Sequence, residues 1–157
     1  MQQQTSATLT TIFSEVLANL AFMFTDEEQV NPSSTDAWLE TVISYQGPVN
    51  GTLRFRCTTD FSVLLASNLL GVDLRDAEAG AKARDAVKEF MNIVCGQFVT
   101  ALHGSESIFN LTIPEITELA ETPDLRADNG VDSSTLSVDG FLVQLSYLPA
   151  GENALTD

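Results

Sequence analysis

Within the segment DAVKEFMNIVCG, residues 85 to 96, Asp85, Glu89 and Asn92 stand at offsets of four and seven, and Gly96 follows at eleven. On an α-helix, at about 100° per residue, these four positions fall within about 60° of one another and form a single line. An amide in such a line can orient a water without needing to titrate. Val87, Met91, Val94, Phe98 and Leu102 fall on the opposite side, so the helix has a face to bury and the acid-amide line looks outward. Every amphipathic helix has a polar face, and solvated surface is the plain reading of spacing alone. Three details oppose it. Asp85 and Glu89 are like charges four residues apart, which costs a few tenths of a kcal/mol in a helix. Asn92 is a poor helix former, and Gly96 costs about 1 kcal/mol relative to alanine while clearing a side chain from the same line. Ile93 and Val99 flank the line and are expected as apolar surface, which suits a docking protein better than a small solute.

The elements that must position this line are readable from periodicity. Phe13, Leu17, Leu20 and Phe24 recur at helical spacing, predicting an amphipathic helix from about Thr8 to Phe24. TDEEQVNPSSTD, with its acids and Pro32, reads as a loop. WLETVISYQ and TLRFRC flank GPVNG and read as an antiparallel hairpin, with Leu53, Phe55 and Cys57 facing one way and Thr52, Arg54 and Arg56 the other. DFSVLLASNLLG fits a short helix with Asp60 as N-cap and Gly71 at its end. From about Ala77 to Leu102 the chain predicts its longest helix. IFNLTIP is strand-like, ETPDLRADNGVDSS reads as a mobile excursion, and TLSV-DG-FLVQLSYLP reads as a second hairpin turning on Asp139-Gly140. The tail from about residue 150 is expected to be loose. The order of elements indicates an α+β fold, with long helices packed on a largely antiparallel sheet.

Composition excludes several functions. The chain of 157 residues is long enough for one substantial core, and residues 1 to 157 read as a single domain. A formal net charge of -15 repels phosphate backbones and anionic lipids, so neither nucleic acid nor a membrane surface is an expected partner. The N-terminus has no basic region before an apolar run, and the densest run, LANLAFMF, is far shorter than the roughly 20 residues that span a bilayer. The expected location is the cytoplasm. Cys57 and Cys95 lie in apolar patterns and read as buried free thiols, and one histidine builds no zinc site. No Ser-His-Asp set can be assembled from spacing, since such triads are defined in space. Nothing fixes the separation of about 5 to 10 Å that a carboxylate-pair hydrolase needs. His103 shares the angular line of Asp85 but lies about 21 Å beyond Glu89 at helical rise, out of reach as the site's acid or base.

Asp85-x3-Glu89-x2-Asn92, followed twenty-two positions later by Pro114 in NLTIPEI, resembles the signature of the CheC/CheX/FliY chemotaxis phosphatases. The hairpin YQGPVNGTLRF, the short helix closing in LLG, the motif helix and a late strand pair follow that family's order across nearly the whole chain. Two-site members repeat the motif on an earlier helix. Here TIFSEVLAN offers Thr11 and Glu15 but Ala18 where the amide would stand, with Asn19 about 100° away around the helix. That copy is incomplete, so the chain is similar to single-site CheX. The resemblance implies two long helices side by side on the sheet, a homodimer, and dephosphorylation of the aspartyl phosphate of a CheY-like receiver. It implies that Asn92 orients the attacking water and Glu89 engages the receiver's lysine. Asp85, Gly96, Lys88 and Pro114 become candidate partner contacts. No cofactor or metal is expected on this chain, the magnesium being the receiver's. Two readings of the charges stay open: Lys82, Arg84 and Lys88 meet an acidic partner surface, or they balance Asp85 and Glu89. Pro114 either shapes a strand end or touches the partner. The alternative is a non-catalytic interaction module related to flagellar switch proteins.

Overall fold

The computed structural model describes residues 2–26, 37–125 and 132–149. Helix α1 spans Gln2–Val16 and continues as a π turn over Leu17–Ala21. Leu9, Ile12, Phe13, Val16 and Leu17 are all buried, the spacing of one helical stripe. The expected continuation to Phe24 does not occur. A π turn places an extra residue in the turn and rotates everything after it, and Phe22 then ends the helix in a left-handed conformation, φ 53°. Leu20 and Phe24, expected to face inward, are consequently 40% and 59% exposed.

Strand β1 is the short pair Thr25–Asp26, within what the sequence suggested was loop; most of that loop, residues 27 to 36, lies outside the described residues. Strands β2 (Trp38–Gln46) and β3 (Gly51–Thr58) form the predicted hairpin, with Leu53, Phe55 and Cys57 buried. Its two glycines are there for space. A Cβ on Gly51 would collide with the Tyr45 hydroxyl, and one on Gly47 would stand 2.7 Å from the Phe109 ring and 2.8 Å from the Ile108 carbonyl. Helix α2 covers Thr59–Leu70. Its N-cap is Thr58 rather than Asp60: the Thr58 hydroxyl accepts from the Phe61 N–H at 3.1 Å, while Asp60 occupies the first turn, where its charge suits the helix dipole.

The long helix expected from Ala77 is two pieces. Helix α3 (Ala77–Ala81) stops at Lys82, whose backbone leaves the helical region at φ -100°, ψ 3°, and α4 runs over Ala83–His103. Of the strand-like IFNLTIP only Asn110–Leu111 forms a strand, β4, and β5, Glu115–Leu119, lies beyond it in a stretch to which the sequence pattern assigned no element. The expected excursion belongs in part to strand β6 (Asp132–Val138), and residues 126 to 131 of it lie outside the described residues. Strand β7 spans Phe141–Pro149. The β6–β7 turn is as expected, with Asp139 and Gly140 both at positive φ, 48° and 86°. Residues from 150 onward are likewise outside the description.

All pairings are antiparallel, in the order β1-β6-β7-β3-β2, with β4 and β5 both pairing the outer side of β2. One face of the sheet packs on the helices through a buried cluster that includes Phe13 of α1, Phe55 of β3, Phe61 of α2 and Phe90 of α4. The other face is polar: Arg56 donates to Glu40 at 2.7 Å and to Gln144 at 3.0 Å. Cys57 and Cys95 are free and buried in the core. Burial pushes the Cys95 thiol up to about 12 and raises that of Cys57, so both stay protonated and inert.

Candidate active site

Helix α4 is held on two sides, by the sheet below and by α1 and α2 beside it. Ala83, Val87, Phe90, Met91, Val94, Cys95, Phe98 and Val99 are buried, so only one strip of its circumference remains outside. Val99, expected as flanking surface, is 3% exposed and belongs to the core, because two covering layers bury a wider arc than one. Ile93 is half-buried. The acid-amide line lies on the outer side: Asp85, Glu89 and Asn92 are exposed, and Lys88 and Gly96 are half-buried.

The edge of the sheet runs antiparallel to this helix. At the helix C-terminus the His103 ring stacks on Phe109 at 5.2 Å, and near its N-terminus Arg84 pairs with Glu118 at 3.1 Å. The stretch from Leu111 to Pro114 therefore lies alongside the middle of α4. There an open groove forms, lined by Asp85, Lys88, Glu89, Asn92, Leu111, Thr112, Ile113 and Pro114. Pro114 thus joins four of the expected helix residues in one place. Gly96 is not in it. It lines a neighbouring groove with Ile12, Ile93, Gln97, Thr100 and Ala101, and Asn92 is common to both. Arg84 answers one of the open charge readings: its partner is Glu118, not Asp85 or Glu89. Both members of that pair are more than half exposed, so it contributes at most about 1 kcal/mol. His103, half-buried against Tyr45 and Phe109, is away from the groove as its position along the helix required.

Sequence reasoning missed Leu111, Thr112 and Ile113 as lining residues. Their signal was the proline itself, since a position that must sit beside the helix brings its neighbours with it. The incomplete copy on the first helix stays incomplete: Ala18 is half-buried within the π turn, and Glu15 and Asn19 line neither groove. Among the described residues no group of three or more His, Cys, Asp or Glu side chains could hold a metal ion.

Gly96 has no structural reason to be glycine. A Cβ built on it meets nothing within 4 Å, and its φ is ordinary. Gly96→Ala should raise stability by about 0.5–1 kcal/mol, a melting temperature up by roughly 1–4 °C. A lower melting temperature in calorimetry would show that the helix needs the glycine internally.

A carboxylate and an amide one turn apart thus stand on an exposed helix face opposite a proline-bearing sheet edge. A family model described as chemotaxis phosphatase CheX matches residues 39–131. Comparison with curated proteins returns no match. Among solved structures, a chemotaxis protein CheX from Desulfovibrio desulfuricans superposes with a TM-score of 0.70 at 18% identity, covering 93% of this chain and 99% of that one. A CheX from Vibrio vulnificus gives 0.66 at 15%, covering 90% and 95%. A CheX-CheY-BeF3-Mg complex from Borrelia burgdorferi gives 0.60 at 20%, covering 90% and 95%. At these identities the superpositions establish a shared fold, and the family match carries membership. The chain belongs to the CheX family of chemotaxis phosphatases. No described helix is long and apolar enough to cross a membrane.

Proposed function

We propose that the chain dephosphorylates the aspartyl phosphate of a CheY-like receiver. The observation that carries the reading is the groove that unites Glu89 and Asn92 with Pro114, twenty-two residues further on. Family membership supports the reaction class, and the CheX of the same fold from Borrelia burgdorferi is seen in complex with a CheY.

The phosphorylated receiver brings its own magnesium and lysine, so what remains to be supplied is a placed nucleophile. Asn92 accepts a hydrogen bond from one water and aims its lone pair at phosphorus, in line with the bond to the aspartate oxygen. The new O–P bond forms as the acyl-phosphate P–O bond breaks, returning the carboxylate to the receiver and releasing inorganic phosphate, which takes the water's proton. Positioning of this kind is most of what phosphoryl transfer needs. Glu89 pairs with the receiver's lysine, and Asp85, Lys88, Gly96 and Pro114 contact the surrounding surface. The site works in the cytoplasm, on a homodimer; light scattering should give twice the chain's 17.0 kDa.

The test is to mix the purified protein with a magnesium-loaded, phosphorylated CheY-type receiver and follow phosphate release. The wild type should accelerate it. Glu89→Ala should reduce kcat/KM by about tenfold or more while keeping the fold, because it removes a charged partner from the contact. An absence of acceleration across several receivers, with binding retained, would make this a docking module instead.

A further inference from the structure

Beside the catalytic pair the sheet edge carries an apolar side chain that neither the motif nor the core accounts for. Tyr45 of β2 pairs with Leu111 and Val42 with Glu115, so two residues of β2 face three on the edge: a bulge of one residue spans Thr112, Ile113 and Pro114. Bulges re-aim side chains, and this one is fastened. The Thr112 N–H donates to the Ser44 carbonyl at 2.8 Å, and the Ser44 N–H donates to the Thr112 hydroxyl at 2.9 Å. Ile113 is left 84% exposed on the lip of the groove that holds Lys88, Glu89 and Asn92. Its backbone is restricted by the following proline, and its β-branch restricts χ1. Such a side chain is already arranged for a contact, and docking it costs little further ordering.

We propose that Ile113 is an apolar anchor for the phosphorylated receiver. This rests on the function proposed above. The occupant follows from geometry: a macromolecule whose phosphoryl group comes within hydrogen-bond reach of Asn92 must cover the opposite lip of the same groove. An exposed apolar residue across the groove from Asp85, Lys88 and Glu89 also sets an apolar contact beside charged ones, as an interface core and its polar rim require. The complementary surface is an apolar patch on the receiver next to its phosphorylation site.

The test compares wild type, Ile113→Ser, Ile113→Asp and Asn92→Ala, each checked by melting temperature. Binding is read by titration against a receiver held in its activated form by beryllofluoride and magnesium, and turnover is read as phosphate release. Both Ile113 variants should melt like wild type and weaken binding by about tenfold or more, with KM rising while kcat falls far less. Asn92→Ala should retain binding and lose turnover. If wild type binds without turning over and the Ile113 variants lose that binding, the anchor stands and the catalytic reading fails. Unchanged binding and KM in both Ile113 variants would overturn the anchor with catalysis intact. Light scattering that gives a dimer for wild type and a monomer for Ile113→Asp would reassign the residue to a contact between copies of this chain, and also overturn it. An absence of binding to any receiver overturns both.

Discussion

Asn92→Ala should lower the rate of receiver dephosphorylation by about a hundredfold or more, while slightly raising the protein's own stability. The two effects have opposite signs because the residue is exposed at the middle of α4 and lies over no core group. Alanine is the better helix former by up to about 0.7 kcal/mol, and nothing buried is uncovered. What is lost is the alignment of one water. A hundredfold corresponds to about 2.7 kcal/mol of transition-state stabilisation, a reasonable share for the group that holds the nucleophile. Asn92→Asp is the sharper companion: it keeps the size but adds a third carboxylate beside Asp85 and Glu89, facing an anionic phosphoryl group, and it should be no better than alanine. Single-turnover phosphate release with melting temperatures recorded in parallel decides the matter. A variant within a few-fold of wild type would remove Asn92 from the chemistry.

The largest expected effect on folding lies at Phe55. Its ring centroid stands 5.3 Å from that of Phe13, 6.1 Å from Phe90 and 6.0 Å from Phe61, so one side chain of β3 joins α1, α4 and α2. Phe55→Ala should cost about 3–5 kcal/mol, through lost transfer energy and a cavity that three separately anchored helices cannot collapse to fill. That is a large fraction of the roughly 5–15 kcal/mol by which domains are stable. Denaturant unfolding at unchanged m-value should report it. Phe24→Ala, at a side chain 59% exposed, should cost less than about 1 kcal/mol. Similar losses at both positions would mean that Phe55 does not join the layers.

What the sequence made legible followed from period and chemistry. Both hairpins and the buried row of α4 are decided by side chains that repeat at two or at 3.6 residues, and the Asp139-Gly140 turn by residues that accept positive φ. The acid-amide line was readable for the same reason, since a helix face is a sum of angles. The misses share a different cause. Strand β5 reads EITEL, with acids at Glu115 and Glu118, and it is a strand because β2 offers it backbone partners from Trp38 to Val42. Its own residues barely ask for the role. The π turn and the break at Lys82 are adjustments of register, which apolar spacing does not report. Thr58 outcompeted Asp60 as the cap because the chain leaves β3 in an extended conformation at Thr58, ψ 158°. As for the site, the helix residues could be named from spacing, whereas Ile113 needed the strand pairing to be known.

The alignment of α4 with the returning edge also constrains how this chain can change length. From Asn92 the helix descends eleven residues to His103, about 16 Å at helical rise. The edge climbs back from Phe109, stacked on His103, to Pro114, five residues and about 16 Å at strand rise. The interval between amide and proline is therefore a ruler with two scales. One added helical turn, nearly four residues, must be matched by about two in the strand, or Pro114 slides away from Asn92. Insertions should be tolerated between the two arms, around residues 104 to 107, where neither scale is read. A single residue gained or lost within either arm misplaces half of the groove even though every residue lining it is still present.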